Sequence, residues 1–120
     1  MKRVFLIDDD LPVLVHLRSN LSDRYRVETF QTAKDCLQVL DMGERPEVIV
    51  TDYHLSEHQT GYDLFKKVSE KYPSIKCIIL SGNEDGTLVL DLVKKGVRDY
   101  VIKDEELLKN LVAAIEGAEE

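Results

Sequence analysis

Thiols, prolines and glycines are scarce in this chain of 120 residues, basic residues are fewer than acidic ones, and each of these excludes something. Neither Cys36 nor Cys77 has a second thiol nearby in sequence, so a CxxC redox pair and a cysteine-rich zinc site are both excluded. Both read as small core residues in a reducing compartment. With 3 Pro and 6 Gly against 43% hydrophobic and 32% charged residues, there is no linker or low-complexity tract, and wholesale disorder is excluded. The longest apolar run is Leu111 to Ile115, far below the ~20 residues of a membrane span. Met1-Lys2-Arg3 has the charge of a signal-peptide start, but Val4 to Ile7 gives a run of only four apolar residues before three aspartates, so the expected location is the cytoplasm. The 16 basic residues are outnumbered by 23 acidic ones, for a net charge of −7. A nucleic-acid-binding surface is therefore not expected, and any DNA output would need another chain or domain. The length suits one domain over residues 1–120, with 117–120 as a fraying tail.

What is there is a regular alternation. Short Val- and Ile-rich runs are each followed by a stretch with apolar residues three and four apart, the pattern of βα repeats. Arg3 to Ile7 reads as a strand ending in Asp8-Asp9-Asp10, with Pro12 in the first turn of a helix that buries Leu14, Leu17 and Leu21. Tyr25, Val27 and Thr29 alternate as a second strand, and Thr32 with Asp35 resembles a capping box before a helix carrying Cys36 or Leu37 and Leu40. Val48 to Thr51 ends at Asp52, and a loop over Tyr53 to Thr60 precedes a helix with Leu64, Phe65, Val68 and Tyr72 on its stripe. Ile75 to Leu80 is apolar on both faces except Lys76, as central parallel strands are, and ends at Ser81. A helix over 84–95 stops at Gly96; the last strand, Asp99 to Ile102, ends at Lys103 before a helix over 104–116 that Asp104 is expected to cap. Leu107, Leu108, Leu111, Val112 and Ile115 should face inward from it. Five βα units predict an α/β fold, a doubly wound parallel sheet with helices on both faces.

In such a sheet ligands bind beyond the carboxyl ends of the strands, so the strand-ending residues are the informative ones. They are Asp8 to Asp10, Asp52, Ser81 and Lys103. Each alone could be a cap, a turn former or a solvated charge. Together, at four strand ends, they make a site. Crowded carboxylates repel unless a cation joins them, and hard oxygen ligands suit Mg²⁺, whereas a glycine-rich first turn would suit a phosphate or a flavin. His54 and His58 could draw zinc, but the loop that carries them has no fixed partner for either, and His16 reads as a surface residue. A carboxylate beside Mg²⁺, faced by lysine and serine donors, is an arrangement for nucleophilic attack on phosphorus.

On these residues the chain resembles the receiver domains of two-component response regulators, from Lys2 to about Ala118. The resemblance implies a flavodoxin-like (βα)5 fold with strand order 2-1-3-4-5. It also implies that Asp52 is the phosphoacceptor, that Ser81 and Lys103 assist it, and that Ser81 and Tyr100 form the switch. Mg²⁺ would be held by Asp9, Asp52 and the backbone carbonyl of His54, with Asp8 acting through water. The phosphoryl donor would be a histidine kinase or a histidine phosphotransfer protein. Phosphorylation would change the face formed by the fourth helix, fifth strand and fifth helix, where partners or a second copy would dock. His54 and Asn83, each two residues beyond a site residue, are expected to tune the lifetime of the phosphorylated state. Only self-phosphorylation and self-dephosphorylation are expected, not turnover of an external substrate.

The chain departs from the family pattern in three places. Ser56 stands where proline is usual, Gly61 lies one residue further from Asp52 than is common, and Asp104 follows Lys103 where the family has proline. Two rival readings remain at this level. A haloacid-dehalogenase-like phosphohydrolase would use Asp8 as nucleophile with Asp10 beside it, but would leave Asp52 idle and has little chain after Lys103 for its last acidic motif. A receiver-like module that only docks partners would need none of Asp52, Ser81 and Lys103.

Overall fold

The computed structural model describes residues 1–55, 59–82 and 86–117. Five strands, β1 (Arg3–Ile7), β2 (Arg26–Phe30), β3 (Val48–Asp52), β4 (Lys76–Ser81) and β5 (Asp99–Ile102), alternate with α1 (Leu11–Leu21), α2 (Ala33–Asp41), α3 (Gly61–Lys71), α4 (Gly86–Lys94) and α5 (Leu107–Glu116). All strand pairs are parallel and the order is β2-β1-β3-β4-β5, the doubly wound sheet that the βα alternation predicts.

Side-chain alternation along the strands separates the interior into two layers. Val4 and Leu6 face the layer closed by α1 and α5, where Leu14, Leu17, Leu111 and Ile115 are buried. Phe5 and Ile7 face the opposite layer, with Cys36 and Leu40 of α2 and Leu64 and Val68 of α3. Each fully buried leucine contributes about 2 kcal/mol by leaving water. Cys36 and Cys77 are free, buried thiols in this second layer, and burial pushes both up to about 12, which leaves them protonated and unreactive. The third cluster is smaller, Ile79, Leu92 and Val97, and it carries α4. Among the described residues no helix is long and apolar enough to cross a membrane.

Helix starts follow the chemistry of their caps. The Asp10 carboxylate accepts from the Val13 N–H at 3.4 Å, and Pro12 occupies the first turn. At α2, Thr32 accepts from the Asp35 N–H at 3.1 Å, the cap half of the expected box. The reciprocal box is at α3 instead: Asp63 N–H donates to Thr60 Oγ1 at 3.2 Å and Thr60 N–H to Asp63 Oδ2 at 2.8 Å. Asp104 does not cap the last helix. Its carboxylate accepts from the Glu106 N–H at 2.9 Å, closing a turn of its own, and α5 begins at Leu107 with no side-chain cap. Of the five apolar residues expected inward, Leu111 and Ile115 are buried and the other three are partly buried. Lys76 is tolerated in β4 because its ammonium reaches the Ala114 carbonyl at the C-terminal end of α5, where a cation meets the negative end of the helix dipole. The expected tail, residues 117–120, lies outside the described residues beyond Gly117, the left-handed cap of α5 at φ 69°.

Candidate functional site

Strand register assembles the site before any side chain is considered. Ile7 pairs with Thr51, Asp52 with Leu80, and Ser81 with Ile102, so Asp8, Asp52, Ser81 and Lys103 emerge in one row along the carboxyl edge. The ladder continues one residue past each strand: Asp8 N–H donates to Phe30 O at 3.1 Å, Tyr53 N–H to Leu80 O at 2.8 Å and Lys103 N–H to Ser81 O at 2.8 Å. The row straddles the crevice between β1 and β3, where the strand order reverses.

Lys103 Nζ lies 2.6 Å from Asp52 Oδ1 and 3.9 Å from Asp8 Oδ2. The ammonium reaches across the end of β4 to Asp52 although Asp104 replaces the usual proline, and every described peptide bond is trans. Asp52 is 6% exposed and Asp8 3% exposed, whereas Asp9 is exposed; carboxylate oxygens of all three lie within 4.8 Å of one another. Burial pushes Asp8 up to about 6; the Asp10 N–H, donating to Asp8 Oδ1 at 2.9 Å, and Lys103 oppose the rise, while Asp52 and Asp9 add to it. Among the described residues Asp8 Oδ2 is buried with no hydrogen-bond donor, the Lys103 ammonium standing 3.9 Å away. A buried carboxylate oxygen without a hydrogen bond, next to two more carboxylates, is a place for a hard cation, and the all-oxygen donor set fits Mg²⁺.

Ser81 is fully buried, and among the described residues its Oγ has no hydrogen-bond partner. A buried hydroxyl of this kind is free to donate to an acceptor at the carboxyl edge of the sheet. Tyr100 is the second residue of β5, paired with Ile79 and so two positions before the Ser81–Ile102 pair, and it is 38% exposed. His54 is exposed, its ring edge-on to Tyr53 at 4.9 Å. Asn83, Ser56 and His58 lie outside the described residues.

Two participants escape a reading of strand ends alone. Thr51 hides in an apolar run, yet its buried hydroxyl donates to the Asp52 carbonyl at 3.0 Å. Gly61 begins α3 directly against the Asp52–Tyr53 peptide: its N–H donates to Tyr53 O at 2.7 Å, and a Cβ there would sit 2.5 Å from the Asp52 carbonyl oxygen and 3.0 Å from Tyr53 Cα. The His54–Thr60 bridge lies beside this contact and ties the two ends of the loop together. The clash is with backbone, which cannot rotate away. Gly61→Ala is therefore expected to lower stability by about 1–3 kcal/mol and to displace Asp52. A urea-unfolding midpoint equal to wild type would refute that close approach.

The arrangement defines a class, an α/β protein with a buried aspartate, a facing ammonium and an acidic pocket at its switch point. The chain belongs to the response regulator receiver domain family, whose model matches residues 4–116. It is 33% identical over 84 residues to the two-component response regulator ORR3 of Oryza sativa subsp. indica, an alignment covering 68% of this chain and 63% of that one. It is 30% identical to the BeF3-activated DrrB receiver domain, with a TM-score of 0.78 over 97% of this chain and 98% of that one. DrrB itself, a Thermotoga maritima OmpR/PhoB homologue, is 30% identical with a TM-score of 0.82, and this chain spans 54% of its length. The chain thus covers somewhat over half of these longer relatives. The haloacid-dehalogenase alternative loses its geometry: Asp10 is exposed and engaged as the cap of α1, and the carboxylates that converge on Asp8 are Asp9 and Asp52.

Proposed function

We propose that the chain is a phosphorylation-dependent switch in which Asp52 accepts a phosphoryl group from phosphohistidine on a histidine kinase or a phosphotransfer protein. The observation that carries this reading is the Lys103–Asp52 contact of 2.6 Å at a nearly buried carboxylate. An Asp52 oxygen attacks phosphorus in line, the P–N bond breaks, and its electron pair leaves with the imidazole. Lys103 holds the carboxylate oriented before transfer and pairs with a phosphoryl oxygen after it. Asp9, Asp52 and the His54 carbonyl would hold Mg²⁺, with Asp8 acting through water. When bound, the ion offsets the negative charge that gathers on the transferred group.

The acyl phosphate made in this way is hydrolysed by water, which resets the state without an external substrate. His54, two residues beyond Asp52, would influence that lifetime. The new phosphoryl oxygens supply the acceptor that the orphaned Ser81 hydroxyl lacks, and drawing Ser81 towards Asp52 frees space for Tyr100 to turn inward. The signal then leaves through α4, β5 and α5, where Leu90, Val93 and Tyr100 are exposed and a partner or a second copy would dock. We place this activity in the cytoplasm, where the proposed phosphoryl donors act. Incubation with a small phosphodonor and Mg²⁺ followed by intact-mass analysis tests the proposal: one phosphoryl adduct is expected, and none would overturn it.

A further inference from the structure

Of all five helices, α4 is the least embedded: among its residues only Leu92 is buried, and Leu90 and Val93 face solvent. What holds it is the small cluster of Ile79, Leu92 and Val97, and the side chains packed around that cluster include Leu88 of α4, Tyr62 and Phe65 of α3, and Tyr53. Tyr53 is the residue immediately after the phosphoacceptor. Its backbone is fixed on both sides, by its N–H to Leu80 O at 2.8 Å and by its carbonyl to Gly61 N–H at 2.7 Å. Leu80 in turn precedes Ser81, so a pull on Ser81 acts on the carbonyl that Tyr53 holds. On the helix side, Lys95 just past α4 pairs with Asp91 at 3.0 Å and lies 4.9 Å from the Tyr62 ring centroid. Asp91 holds the Lys95 ammonium above its ordinary range, so the end of α4 is tied to the Tyr62 ring that packs with Tyr53 around the same cluster.

Resting on the receiver reading of Asp52, we propose that Tyr53 is a positioning residue that couples the phosphoacceptor strand to α4, giving the signal a route that does not pass through Tyr100. One end of this residue is bonded into the β3–β4 edge and the other is packed into the cluster that carries the helix. A displacement of the edge therefore changes the surface on which Leu88 and Leu92 rest. Because α4 has so few other buried contacts, it is the element such a change can move.

The experiment uses beryllofluoride with Mg²⁺ on the whole chain, followed by amide chemical shifts. Wild type should show shifts around Asp52 and along Gly86 to Lys94. Tyr53→Leu should reduce the α4 shifts by about half or more while beryllofluoride affinity stays within about threefold of wild type. Tyr53→Phe, which keeps the ring, should restore them, and Ser81→Ala should lose more of the Tyr100 response than of the α4 response. Undiminished α4 shifts in Tyr53→Leu would overturn the proposal. Absence of beryllofluoride shifts around Asp52 in wild type would instead overturn the receiver reading, and this route with it. If Tyr53→Leu does not fold, hydrogen exchange on wild type decides: α4 protection should change about tenfold or more with beryllofluoride, and equal protection overturns the coupling.

Discussion

Asp52→Asn is expected to abolish phosphoryl acceptance while leaving the fold intact. An amide oxygen has neither the charge nor the nucleophilicity to attack phosphorus, and no neighbouring carboxylate shares Asp52's place opposite Lys103: Asp8 Oδ2 is 3.9 Å from the ammonium, against 2.6 Å for Asp52 Oδ1. The fold should survive because Lys103 is about a third exposed and water can replace the lost partner. Asparagine also relieves repulsion with Asp8 and Asp9, so unfolding free energy should change by about 1 kcal/mol or less. Peptide mapping of the wild-type adduct should place it on Asp52, and intact mass of the variant should show none. An adduct on Asp8, or phosphate-ester turnover that survives Asp52→Asn, would return the argument to the phosphohydrolase alternative.

The row of strand-ending residues was readable because parallel strands align their carboxyl ends, so residue type at the end of each Val/Ile run is nearly a map of the site. Lys103 reached Asp52 despite the lost proline, since the position of an ammonium on a four-carbon stem depends little on the backbone after it. Contacts made by backbone atoms were not readable in the same way. Thr51 looks like one more β-branched strand residue until its hydroxyl is found on the Asp52 carbonyl. Gly61 looks like a loop glycine until α3 is seen docked against Asp52. Asp104 illustrates the opposite error: an aspartate ahead of a helical pattern reads as a cap, but here its carboxylate closes a turn two residues on, one step before the helix begins. Tyr53 is an aromatic in a loop by sequence, and only the packing of α4 reveals what its ring supports.

A stability cost at Asp8 is the remaining large effect, and its sign follows from protonation. The carboxyl titrates at about 6 when folded against 3.8 ordinarily, so the folded state holds the proton more tightly than the unfolded chain does. Ionised Asp8 therefore opposes folding. The cost is fully present above about pH 6, declines as pH falls towards 3.8, and is absent below it. A shift of roughly two pH units corresponds to about 3 kcal/mol. Asp8→Asn in the presence of a chelator should accordingly be more stable than wild type by about 1–3 kcal/mol at pH 8, with the advantage shrinking below pH 6. Its amide oxygen can still accept the Asp10 N–H that Asp8 accepts at 2.9 Å. Mg²⁺ should recover the same loss in wild type by binding only the folded carboxylates, adding about 1–3 kcal/mol at roughly ten to a hundred times its dissociation constant. Asp9→Asn should lose most of that rise. Melting temperatures across pH 4 to 8, with chelator and with Mg²⁺, separate these effects. No Asp8→Asn advantage at pH 8 would mean that the Asp10 N–H and Lys103 already compensate the buried charge, and the pocket would then have no electrostatic reason to draw in a cation.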